Sequence, residues 1–92
     1  MKPEGIVESH MVALAKKNNI LCFKFTSPGN NGVPDRILIG NNKVIFVELK
    51  AKTKVPRKLQ EKIISKMRKA GADVRTADTK EKVDQIIDEI IK

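Results

Sequence analysis

The sequence predicts an α/β fold in which one mixed β-sheet carries helices on its faces, in the order αβββαβα. Three observations lead there. Apolar residues recur at helical spacing in three separate stretches, and four short runs alternate in the manner of strands. Three of the strands follow one another through turns, which makes a meander. The fourth is reached only across a helix, so a β-α-β crossover joins it to the same sheet.

Each element has its own local reason. Pro3 suits the first turn of a helix over residues 3–18, where Val7, Met11 and Leu14 recur and Asn18-Asn19 ends the run. Residues 20–26 read as a strand, with Leu21, Phe23 and Phe25 on one face and Cys22 and Lys24 on the other. Residues 27–32 (SPGNNG) are loop chemistry. Residues 35–39 and 43–50 are strands joined at Gly40-Asn41-Asn42, a hairpin. A second helix covers residues 56–70, with Leu59, Ile63, Met67 and Ala70 as its stripe and Gly71 as its stop. Residues 72–76 form a short strand. Asp78 and Glu81 resemble a capping box before a last helix striped by Val83, Ile86, Ile87, Ile90 and Ile91.

Ninety-two residues, 40% hydrophobic and 33% charged, fit one domain over residues 1–92 with a small core. The apolar runs are far shorter than the roughly 18 residues of a membrane span. No basic-then-apolar leader opens the chain, so a cytoplasmic location is expected. One cysteine and one histidine exclude a disulfide scaffold and a zinc finger.

Nineteen Lys and Arg stand against eleven Asp and Glu, a net charge of +8. The excess is local. Residues 43–69 hold ten basic and two acidic groups, while residues 70–92 hold four basic and six acidic ones. Such clustering is the footprint of a phosphate-backbone binder, although a solvated lysine face has the same composition. Phe23, Phe25 and Phe46 all sit in strand-like runs and read as core, which directs any nucleic-acid contact to the backbone.

The hairpin holds the unusual residues. Glu48 and Lys50 follow four apolar residues and share a strand face with Val44 and Phe46. A carboxylate at the end of a buried strand is costly unless a cation or hydrogen bonds compensate it. Counted outward from the turn, Asp35 falls opposite the Glu48 region. Two carboxylates and an ammonium therefore meet at one sheet edge. Spacing alone leaves two readings open: a Mg²⁺ or Mn²⁺ site, or an ion pair beside a turn-capping Asp35.

Pro34-Asp35 followed by Glu48-Leu49-Lys50 resembles the bipartite PD-(D/E)XK nuclease motif. With Glu8 on the first helix, the run Asn31-Gly32-Val33-Pro34-Asp35 and the later Gln60, the chain from about residue 4 to Thr76 is similar to VRR-NUC domains, the virus-type replication–repair nucleases. The resemblance implies a restriction-endonuclease-like core and a Mg²⁺- or Mn²⁺-dependent DNA endonuclease acting in replication, recombination or repair. It implies Asp35, Glu48 and the Leu49 carbonyl as metal ligands, Glu8 as a direct or water-mediated one, and Lys50 as the group that orients or deprotonates water. Glu4 is the rival for Glu8. Gln60 belongs near the site and the DNA, or else on a solvated helix face.

Lys52, Lys54, Arg57 and Lys58 follow the motif and are placed to hold the DNA strand. His10 reads as a packed or surface histidine. Family precedent implies 5′-phosphate and 3′-hydroxyl products, and a homodimer cutting branched DNA such as four-way (Holliday) junctions or flaps. The last helix, wide in its stripe, is the candidate dimer surface, though the same stripe could pack on the sheet. The alternative is a non-catalytic nucleic-acid-binding module on the same fold, against which the intact Asp35, Glu48 and Lys50 set counts.

Overall fold

The computed structural model describes residues 3–50 and 57–92, the side chains of Pro3, Glu4 and Arg57 apart. Its elements are α1 (Pro3–Lys17), β1 (Leu21–Lys24), β2 (Arg36–Gly40), β3 (Lys43–Leu49), α2 (Arg57–Lys69), β4 (Val74–Ala77) and α3 (Lys80–Ile91). That is the order the sequence implies. The sheet runs β1-β2-β3-β4, with β1, β2 and β3 antiparallel and β4 parallel to β3. Asn41 and Asn42, at φ 49° and 62°, make the two-residue turn that closes β2 on β3. Left-handed residues at both positions match the twist of the flanking strands, and asparagine tolerates them.

Strand alternation divides the sheet into two faces. Leu38, Ile45, Val47, Leu49 and Ala77 point to one, where Val7, Met11 and Ala15 of α1 and Val83, Ile86, Ile87 and Ile90 of α3 close the core. On the other, α2 covers the β4 side and the end of β3, burying Ile64, Val74 and Gln60. The rest of that face stays open. Leu21, Phe23 and Val44 are 53%, 52% and 50% exposed there.

This asymmetry corrects several expectations. Phe23 is not core, and Phe25 and Phe46 are only half-buried, packed on each other with ring centroids 5.3 Å apart. α1 packs behind β1, so Cys22, not Leu21 or Phe23, turns inward. The α3 stripe is consumed by the sheet, Ile91 alone being exposed, and leaves no wide surface for a second copy. In α2 the buried line is Gln60 and Ile64, with Leu59 and Ala70 outside. The cap of α3 is Thr79, whose hydroxyl accepts from the Lys82 N–H at 3.2 Å, while Asp78 pairs with Lys82 instead.

No helix among the described residues is long and apolar enough to cross a membrane.

Candidate active site

The hairpin register sets the geometry. Arg36 pairs with Val47, so one step further out Asp35 faces Glu48. The Asp35 Oδ2 accepts the Leu49 backbone N–H at 2.8 Å, which ties its carboxylate to the end of β3. Asp35 itself is exposed, and so is Lys50. Glu48 is not: it is 1% exposed, at the end of a strand that carries three buried apolar residues.

What surrounds Glu48 is chemically unbalanced. Its Oε2 accepts a hydrogen bond from the Gln60 Nε2 of α2. Its Oε1 is buried and has no hydrogen-bond partner among the described residues. Burial, and then the charge of Asp35 beside it, push the Glu48 carboxyl up to about 8, against the opposing pulls of Gln60 and Lys50. An orphaned carboxylate oxygen next to a second carboxylate offers hard donors that a cation would satisfy. Hard oxygen donors of this kind suit Mg²⁺ or Mn²⁺, with the Leu49 carbonyl within the same strand end. Among the described residues no three His, Cys, Asp or Glu side chains gather in one place.

Glu8 takes a different place. Its Oε2 accepts from the Arg36 Nε at 2.8 Å, with the arginine side chain 13% exposed. Arg36 lies on the face of Val47, the opposite face from Glu48. The pair fastens α1 to the start of β2, immediately beside Asp35. His10 bonds Asp84 of α3 at 2.7 Å, a strut between the two core helices.

The basic residues divide. Lys52 and Lys54 lie outside the described residues, as do the side chains of Arg57 and Glu4. Lys58 is exposed at the start of α2, and Lys62 and Lys66 follow it at four-residue steps, also exposed. One cationic line thus runs along the helix whose inward side holds Gln60. The sequence shows that spacing, although its position after the motif singles out only Lys58 of the three. Thr76 was missed as well: it stands beside Glu48 in the β3–β4 register. No sequence pattern marks it, since its place depends on the crossover.

The loop before Asp35 is fixed against α2. Ser27-Pro28-Gly29-Asn30 is a turn closed by the Asn30 N–H on the Ser27 carbonyl at 2.9 Å, with Gly29 at φ 84° as the turn requires. At Gly32 a Cβ would stand 2.9 Å from Ile63 Cγ1 and 3.0 Å from the Leu59 carbonyl oxygen, so only glycine lets the loop approach this closely.

No protein-family model matches the chain. It is 35% identical over 79 residues, 85% of each chain, to "Putative nuclease p44" of Acyrthosiphon pisum secondary endosymbiont phage 1. A solved structure described as "VRR_NUC domain" superposes with a TM-score of 0.83 at 26% identity, over 96% of this chain and 97% of that one. A sequence relative over most of its length and a shared fold from end to end give the same answer: the chain belongs to the VRR-NUC family of the PD-(D/E)XK nuclease superfamily.

Proposed function

We propose that the protein is a Mg²⁺- or Mn²⁺-dependent DNA endonuclease that hydrolyses phosphodiester bonds at branched sites, four-way junctions or flaps. The observation that carries this reading is the buried Glu48 carboxylate, with one oxygen unsatisfied among the described residues, set against Asp35 at the end of the hairpin. Asp35, Glu48 and the Leu49 carbonyl would hold the cation. When bound, the ion supplies neutralisation of a non-bridging phosphate oxygen and a lowered pKa for water.

The chain's own groups have separate tasks. Gln60 fixes the Glu48 rotamer by holding Oε2, which leaves Oε1 for the ion. The Leu49 N–H does the same for Asp35. The proton that Glu48 retains must leave before the pair can bind a cation. Lys50, one face-step beyond Glu48 on the same strand, orients the attacking water and stabilises charge as the phosphate becomes five-coordinate. Glu8 is assigned to anchoring Arg36, and through it the start of β2, with no direct place on the ion. Lys58, with Lys52, Lys54 and Arg57 of the same basic stretch, takes the phosphate backbone.

A homodimer completes the reading, since two copies set two sites against two strands of a junction. Its surface is the open sheet face around Leu21, Phe23 and Val44 and not α3. Contiguous exposed apolar residues of this kind mark association surfaces.

The decisive assay offers linear, flapped and four-way DNA with Mg²⁺, Mn²⁺ or EDTA. Cleavage of branched substrates only with a cation is expected; tight binding without cutting under any cation returns the protein to the class of binding modules. Sedimentation at micromolar concentration reads the assembly: a species of twice the 10.3 kDa chain is expected, and it should fall to one chain in Phe23→Lys.

A further inference from the structure

Beside Asp35 lies a cavity of about 210 Å³ whose walls include Phe25, Ser27, Asn30, Asn31 and Val33 as well as Asp35 itself. It is smaller than the about 300–1,000 Å³ of pockets for drug-sized ligands. Its volume corresponds to roughly seven waters at about 30 Å³ each. A single small heterocycle is the right scale.

The walls also select by charge. Among the described residues that line it, Asp35 is the one ionisable group, and it is an acid; the rest offer an aromatic ring, amides, hydroxyls and aliphatic carbon. Among those residues a phosphate would meet a carboxylate and no cationic side chain. A nucleobase would meet what it needs, a ring to lie against and amides for its polar edge.

The cavity and the carboxylates share one frame. The Phe25 N–H donates to the Asp35 carbonyl at 2.8 Å, so the ring's backbone is bonded to the catalytic candidate itself. Its ring is held by Phe46 at an interplanar angle of 57°. The Asn30 Nδ2 donates to the Ser27 Oγ at 3.2 Å, which leaves its carbonyl oxygen for a ligand. Gly32 locks the loop against the turn of α2 that carries Gln60. Preorganised walls of this sort cost a ligand little on binding.

We propose that this cavity receives the nucleobase flanking the scissile phosphate, unstacked from its neighbours, with Phe25 against the ring and the Asn30 and Asn31 amides on its edge. The inference rests on the nuclease reading for its position, because a phosphate at Asp35 and Glu48 has its flanking nucleosides within reach of the cavity. A base inside continuous duplex is stacked and paired, and extruding it costs a few kcal/mol. At a branch or flap that cost is already lowered. Selection of branched DNA thus becomes a property of this cavity, separate from the cationic line on α2.

The test places 2-aminopurine, whose fluorescence rises on unstacking, at each of the three nucleotides either side of the branch of a flap, with the wild-type protein in EDTA. Binding is followed in parallel by anisotropy. One position should brighten several-fold, next to the cut mapped with Mg²⁺ or Mn²⁺. Asn31→Ala, an exposed change that leaves the fold alone, and Phe25→Leu, which keeps an apolar contact for Phe46, should each lose most of the brightening. Both should also lower kcat/KM about tenfold on the intact flap, as loss of a stacked base contact does. On a flap abasic at that position, the variants and the wild type should cut alike.

Binding without brightening at any position, or an abasic flap cut as fast as the intact one, overturns the inference while a cation-dependent cut keeps the nuclease reading. Brightening that Asn31→Ala and Phe25→Leu both abolish, in a protein that cuts nothing with either cation, does the reverse. Absence of binding to any of these DNAs overturns both.

Discussion

At the end of the sheet where β3 begins, Arg75 holds Asp73 at 2.7 Å and Glu89 at 2.7 Å, and Lys43 donates to the Glu89 carbonyl at 2.6 Å. At the end where β3 finishes, Asp35 and Glu48 crowd together and one Glu48 oxygen has no partner among the described residues. Both ends are charged, and both border a cavity. The cavity at the paired end, about 560 Å³, is the larger. Volume therefore does not mark the site; unbalanced charge in a dry place does. Acids at the paired end are eased by their cations, Glu89 being held below its usual range by Arg75, whereas Glu48 is pushed far above its own. Glu48 is eased instead by the proton it keeps, so one end of the sheet is settled by ion pairs and the other by protonation.

The largest effect should come from breaking the unbalanced end. Asp35→Ala, Glu48→Ala and Lys50→Ala are each expected to lower kcat by at least about 10³-fold, since each removes a group that acts in the transition state. DNA affinity, read by anisotropy in EDTA, should change no more than a few-fold, because the phosphate-binding lysines remain. Cleavage near the wild-type rate by any of these variants removes that residue from the catalytic set.

Next in size is the cationic line on the helix above Glu48. Lys58→Gln, Lys62→Gln and Lys66→Gln together should flatten the dependence of log K on log salt by up to about 2.7, the slope of roughly 0.9 per phosphate contact applied to three lysines. The loss should be equal for all sequences, as backbone contacts require. A slope unchanged by the triple substitution puts the DNA elsewhere.

How much of this was visible in the sequence depends on whether the needed contact is local. The element order, the Asn41-Asn42 turn and the meeting of Asp35 with Glu48 all follow from short-range periodicity and a two-residue hairpin, which fixes register. The fates of the apolar faces do not. Leu21 and Phe23 alternate as a buried strand would, yet α2 reaches only β4's side and the end of β3, and no local signal says which face a distant helix covers. For Gln60 the motif resemblance points to the site, while its polar character alone suits a solvated face; the crossover, which brings α2 over the end of β3, buries it on Glu48. Glu8 was legible as an acid on the first helix, while its partner Arg36 was not, because their pairing bridges 28 positions.

A smaller effect appears in the apo protein's stability. The Glu48 carboxyl stands at about 8 in the folded chain against an ordinary 4.5, first because it is buried and then because Asp35 is near. Between those values the folded protein keeps a proton that the unfolded chain has released, so stability must fall as pH rises through that window. Melting in EDTA from pH 5 to pH 8.5 should show a decline of several degrees. Glu48→Gln keeps the volume and removes the titration; it should flatten that decline and raise Tm at pH 8. Added Mg²⁺ or Mn²⁺ should raise Tm of the wild type most at the alkaline end, where the pair is ionised, and leave Glu48→Gln unmoved. Identical pH profiles for wild type and variant would deny Glu48 its raised proton affinity.

The smallest effect belongs to the paired end, and its smallness is the point. Arg75→Met breaks the contacts to Asp73 and Glu89, yet both acids are roughly half-exposed, with side chains 43% and 52% accessible. Water takes over most of what the guanidinium supplied, and exposed pairs of this kind contribute little. Methionine keeps an unbranched side chain of similar reach at this half-buried position. Tm should fall by no more than a few degrees, less in high salt, where the pairs are already screened. Neither kcat nor cation-dependent stabilisation should move, since none of these groups touches Asp35 or Glu48. A loss of cleavage comparable to that of Lys50→Ala, in a folded Arg75→Met protein, would mean that the two ends of the sheet are coupled and that pairing alone does not separate scaffold from site.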